Sequence, residues 1–165
     1  MASSIDLKNY LTNQIAALQE LHQLLQDEQQ AMVALNTTRM DELNQLKEDV
    51  QRRQRKIIDE GRQAMNVLAR EYGLPPETSL SRLIERLDNS QKPELLVLQK
   101  DASEMAIRVR RAAQENQGLL ERFLGTVNES LGFLLRVLNT SNQYGSTGGY
   151  VPRVQAGAVM INREA

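Results

Sequence analysis

From Leu95 to Val137 the chain repeats itself at helical spacing: Leu95, Leu98, Ala102, Met105, Val109, Ala112, Asn116, Leu119, Phe123, Thr126, Phe133 and Val137 step by threes and fours, with one step of seven at Ser130. A stripe of that period covers one side of a helix and must face other helices, because leaving it in water forgoes the free energy of burying it. A helix from about residue 92 to residue 139 would be about 70 Å long at roughly 1.5 Å per residue, so the sequence predicts an elongated molecule. The pattern then stops. Residues 141–165 hold four glycines, Pro152 and few large apolar side chains, too little apolar surface to offset the entropy of ordering them. The expected division is a helical domain over 1–140 and a flexible tail over 141–165.

Two earlier segments carry the same signature. Leu11, Ile15, Leu18, His22, Leu25, Gln29 and Met32 alternate by four and three, with Leu7, Leu21 and Leu24 broadening the face beyond a two-helix seam. This helix is expected to start after Ser3 or Ser4 as cap and to run to about Leu35. Asn36-Thr37-Thr38 interrupts it, and Thr38 followed by Asp41 reads as the cap of a second helix carrying Leu43, Leu46, Val50, Gln54, Ile57, Gly61, Ala64 and Leu68. Gly73-Leu74-Pro75-Pro76 ends that helix near Tyr72. A short helix capped by Ser79 carries Leu80, Leu83, Ile84 and Leu87, and Pro93 sits where a first-turn proline opens the last helix. The predicted fold class is all-α: an elongated antiparallel bundle of three long helices, one short connecting helix and a flexible C-terminal tail.

Composition excludes several kinds of chemistry. The 165 residues include no cysteine, so disulfide frameworks and thiolate metal sites are ruled out. His22 is the one histidine and lacks the Glu-x-x-His context of a bundle di-iron site, since Gln19 stands three residues before it. No glycine-rich loop of the nucleotide-phosphate type occurs, and the expectation is a protein that is not an enzyme and holds no cofactor or metal. A net charge of −1 gives no general pull toward nucleic acid. The basic cluster Arg52, Arg53, Arg55 and Lys56 is matched at helical spacing by Glu48, Asp49, Asp59 and Glu60, and Arg108, Arg110 and Arg111 by Glu104 and Glu115. The N-terminus lacks the basic-then-apolar pattern of a secretory signal and no run approaches the roughly 20 apolar residues of a bilayer span, so the expected location is the cytoplasm.

What remains is a surface for partners. Asn116, Leu119, Leu120, Phe123, Val127, Leu131, Leu134 and Leu135 make a face wide enough for two neighbours, one internal and one a guest amphipathic helix. A polar Asn116 inside such a seam equally fits a residue that fixes helix register. A coiled-coil scaffold or tether is the other class of function compatible with these helices.

The chain resembles the FlgN family of flagellar export chaperones over nearly its whole length. The resemblance is carried by the leucine-rich first helix, the Ala34-Leu35 break leading to Asp41 and Leu43, Asn116 with Leu119-Leu120, and the tail Tyr144-Gly145 followed by Gly148 and Ile161 to Ala165. It implies a chaperone that binds the C-terminal helical region of the hook-filament junction proteins, the first and third hook-associated proteins, and delivers them to the cytoplasmic domain of the flagellar export gate. No direct membrane insertion is implied. It puts the substrate-gripping region in the last long helix, which the apolar face read above extends to a cargo site of Asn116, Leu119, Leu120, Phe123, Val127, Leu131 and Leu134. The gate-docking tyrosine corresponds to Tyr144, ahead of Gly145, with Tyr150 as the other candidate.

Overall fold

The computed structural model describes the backbone of residues 2–141 and the side chains of residues 5–138. Four helices follow one another: α1 (Ala2–Val33), α2 (Thr37–Glu71), α3 (Leu80–Arg86) and α4 (Lys92–Ser141). The chain is all-α, three long helices and one short connector, and among the described residues no strand occurs. Two compact units divide inside α4, the first reaching Glu121 and the second starting at Arg122.

In the first unit the helices form a bundle. Glu20 of α1 meets Arg53 of α2 at 2.7 Å, Glu28 pairs with Lys47, and the Tyr10 ring lies on Gly61, so α1 and α2 run antiparallel. Lys8 pairs with Glu94, and Asn116 bonds Leu25 and Glu28, so α4 runs alongside α1 in the same direction. At one end Leu7 and Leu11 of α1, Leu68 and Ala69 of α2, Leu83 and Ile84 of α3, Leu87 just after α3, and Leu95 of α4 share one apolar cluster. Each buried leucine there contributes roughly 1.5–3 kcal/mol. Toward the α1–α2 turn a second cluster holds only residues of the first two helices, Leu24 and Ala31 with Leu43 and Val50. There α4 is held by a polar side chain instead.

Local chemistry sets the helix ends, with three departures from expectation. Backbone helix begins at Ala2, ahead of Ser3 and Ser4, so neither serine caps α1. Between α1 and α2 the chain turns through Leu35 at φ 52°, and the cap of α2 is Asn36, whose Oδ1 accepts from the Arg39 amide at 3.0 Å. Thr38 is already inside the helix, because Asn36, two residues earlier, takes the cap position and satisfies the amide of the third helical residue. Ser79 does occupy the cap position of α3, but its hydroxyl makes no capping bond. Gly73 takes φ 64° after α2, a left-handed conformation that glycine enters without Cβ strain.

Charge pairing also differs in detail. Arg52 pairs with Asp49 and Arg53 reaches across to Glu20, while Lys56 and Glu60 stand at 3.8 Å. Glu104 pairs with Lys100 at 3.8 Å rather than with an arginine. Burial follows the expected stripe of α4 as far as Phe123: Leu95 and Asn116 are buried, and Leu98, Ala102, Met105, Val109, Ala112, Leu119 and Phe123 are partly covered, whereas Thr126, Phe133 and Val137 are exposed.

Candidate functional site

Asn116 is 4% exposed, and both hydrogens of its amide nitrogen are used. Nδ2 donates to the Leu25 carbonyl at 2.8 Å and to Glu28 Oε2 at 2.9 Å. Glu28 is itself buried at 6%, and its other oxygen accepts from Lys47 Nζ. One carboxylate thus ties α1 to α2 by an ion pair and to α4 by an amide. A buried charge is tolerated only when its lone pairs find donors, and here each oxygen has one. The structure therefore places Asn116 in the interior, where its side chain fixes helix α4 against α1 and is not displayed on an outer face.

A shallow groove between α1 and α4 lies beside this network, lined by His22, Gln26, Gln29, Arg108, Arg111 and Glu115. Its mixed polar lining has no convergent catalytic geometry, and among the described residues no group of three or more His, Asp or Glu side chains could hold a metal ion. Two side chains have their ionisation displaced. Burial raises the Tyr10 phenol above its usual value, and the hydrogen bond from Arg53 to Glu20 raises the guanidinium further. Neither group faces a cavity that chemistry could use.

The second unit has a different surface. Leu124, Val127, Leu131, Phe133, Leu134, Leu135 and Leu138 each expose between 52% and 63% of their area, and Val137 exposes 46%. Scattered apolar residues on a surface are ordinary; seven half-exposed large ones within fifteen consecutive positions are a patch, and such patches mark binding surfaces. Arg122, Asn128, Glu129 and Arg136, with Thr126, Ser130 and the glycines at 125 and 132, lie among these apolar residues. Gly118, Gly125 and Gly132 recur every seven residues along α4, and a Cβ added at any of them would meet nothing within 4 Å.

Of the residues expected from sequence, Val127, Leu131 and Leu134 lie in this exposed patch, Leu120 is 40% exposed, and Leu119 and Phe123 are partly covered. Leu124, Phe133 and Leu138 were not in the expected set, although the spacing of Leu124 from Leu120 and Val127 and of Leu138 from Leu134 is the signal that would have found those two. Tyr144, Gly145 and Tyr150 lie outside the described residues, as does the tail 142–165. No described helix is long and apolar enough to cross a membrane.

Comparison with known proteins gives one match of length. The profile of a family described as FlgN protein matches residues 1–152, which takes in all four helices and positions 144 and 145. No curated protein and no solved structure matches the chain.

Proposed function

The chain belongs to the FlgN family of flagellar export chaperones, and from that premise we propose that it holds the C-terminal helical region of the first and third hook-associated proteins on the apolar face of α4 and delivers them to the cytoplasmic domain of the export gate. The observation that carries this reading is the run of half-exposed leucines, valines and Phe133 between residues 124 and 138. An amphipathic cargo helix covers such a face and is covered by it, which keeps two aggregation-prone surfaces out of water at once. Phe123, Val127, Leu131 and Leu134 are its contacts in the second unit, and Leu119 and Leu120 continue the same helix. Asn116 supports this function from inside the bundle, by holding α4 in register. Tyr144 with Gly145 docks on the gate, separately from cargo.

The test is a comparison of two kinds of substitution. Val127→Asp combined with Leu134→Asp puts carboxylates on exposed positions, so helix content and melting temperature stay at the parental values. Binding of either hook-associated protein, followed by calorimetry, falls by at least about tenfold because the carboxylates lose water without gaining partners. Unchanged affinity in the folded double variant refutes the cargo face.

A further inference from the structure

Two turns in this fold share the same hydrogen bonds and are filled by different residues. After α2 the amides of Gly73 and Leu74 donate to the carbonyls of Arg70 and Ala69; after α1 those of Leu35 and Asn36 donate to the carbonyls of Met32 and Ala31. Both are helix stops in which one residue turns left-handed and the next is free to pack back on the helix. After α2 the left-handed residue is Gly73, and Leu74 packs on the cluster that holds Leu68 and Ala69. After α1 it is Leu35, at φ 52° and 71% exposed, and Asn36 caps α2 instead of packing back. A left-handed backbone crowds a β-carbon, a strain that glycine avoids and asparagine tolerates.

Among the described residues nothing offsets that strain by covering the leucine. Val33, Ala34 and Leu35 are all exposed, Val33 at 68%, although Ala31 and Met32 just before them are buried. A large apolar side chain at a hairpin tip, in a conformation its backbone resists, gains its burial from outside the chain. The charges around the tip indicate what kind of surface supplies it. Arg39 pairs with Glu42 at 2.9 Å and reaches Asp27 at 3.9 Å, while Asp41 is exposed and makes no ion pair among the described residues. Three acids against one base repel an anionic lipid surface and a second copy of the same tip, and complement a basic rim. The tip also has a place in the bundle: Asn116 meets α1 at Leu25 and Glu28, and Leu119 and Leu120 follow it by one turn, at the same end of the first unit as Leu35.

We propose that Val33 and Leu35 form a knob that seats in an apolar pocket on the cargo, a pocket with lysine or arginine at its rim. The occupant is the hook-associated protein, because Leu119 and Leu120, which begin the proposed cargo face, stand at the end of the bundle where the knob projects. The proposal rests on the cargo-binding reading above and adds to it a contact from the α1–α2 turn, which the apolar count of α4 does not contain. It also explains why leucine stands at a position where glycine would favour the turn more.

Leu35→Gly and Leu35→Asn test it by moving stability and binding in opposite directions. Both relieve the backbone, so the melting temperature should rise by about 2–4 °C, while calorimetric affinity for the intact hook-associated protein should fall by about tenfold. Leu35→Met keeps both an apolar side chain and the strain, and should hold affinity within about twofold of the parental value. Asp41→Lys should weaken the cargo and reduce the salt dependence of binding. A lower melting temperature for Leu35→Gly shows that the chain itself covers the leucine, and overturns the proposal. If the Leu35 variants keep parental affinity while Val127→Asp with Leu134→Asp loses it, the cargo face stands and the knob is wrong. The reverse result supports the knob and removes the face, and no loss in either set ends both. A dimer by light scattering that Leu35→Gly makes monomeric, or binding to phosphatidylserine vesicles that Leu35→Gly abolishes, puts a second copy or a lipid on the tip and also overturns the proposal.

Discussion

Replacing Asn116 by alanine should separate the interior of this protein from its working surface. The amide nitrogen gives one hydrogen to the Leu25 carbonyl and one to the buried Glu28 carboxylate. A neutral hydrogen bond is worth about 1 kcal/mol net and one to a charged group about 1.5–3, and alanine returns roughly 0.5 kcal/mol through its better helix propensity. The expected loss is therefore about 2–3 kcal/mol, or roughly 5–10 °C in melting temperature for a chain of this size. Urea unfolding followed by circular dichroism reads it directly. Lys47→Met strips the other oxygen of Glu28 and should cost more, about 3–5 kcal/mol, because it leaves a buried carboxylate without its countercharge. The sharper result is rescue. Replacing all three groups, Glu28→Leu with Lys47→Met and Asn116→Leu, removes the charge together with its partners and should restore stability to near the parental value. A shift below about 0.5 kcal/mol for Asn116→Ala is what an exposed residue gives, and that result, or a triple variant worse than Lys47→Met alone, refutes the network as the anchor of α4. Cargo affinity of Asn116→Ala, measured where it is fully folded, should be unchanged.

Three further outcomes are expected. Gly61→Ala puts a Cβ closer than 3.0 Å to the Tyr10 ring and should destabilise the bundle by about 1–3 kcal/mol despite alanine's helix propensity, whereas Gly61→Ala with Tyr10→Leu should recover most of the loss in thermal melts. Burial raises the Tyr10 phenol, so the folded state favours its neutral form: that contribution is full below the ordinary tyrosine value of about 10 and is lost as pH rises through the higher folded value, and Tyr10→Phe should show a shallower fall in stability across that alkaline window. Tyr144→Ala should leave calorimetric cargo affinity nearly unchanged and weaken binding to the cytoplasmic domain of the export gate; equal losses in both would end the separation of the two sites.

The elements of this fold were legible because each long stripe needs a neighbour and each break has a residue that makes it: Pro75 and Pro76 after Gly73, and Pro93 in the first turn of α4. Capping was less legible. Asn36, Thr37 and Thr38 are all cap formers in a row, and only backbone geometry selects Asn36. The place of Asn116 was beyond sequence reasoning for another reason. Its partner Glu28 stands 88 positions away on a different helix, so no local pattern distinguishes an asparagine that fixes register from one that meets a guest. The exposed face was half legible: Val127, Leu131 and Leu134 came from the apolar count, Leu124 and Leu138 continue the same spacing and were passed over, and Phe133, counted in the stripe that should face other helices, is exposed.

Gly118, Gly125 and Gly132 carry a consequence for turnover. No neighbour crowds them, so alanine would fit at each, and glycine costs a helix about 1 kcal/mol relative to alanine at every such position. The stretch proposed to hold cargo thus carries glycine where alanine would favour the helix more. Whatever a partner must contribute to stiffen it is subtracted from affinity and shortens the lifetime of the complex. On the proposed reading, a grip that is undone at every delivery works better when it is loose, and Gly125→Ala with Gly132→Ala should turn it into one that lets go too slowly.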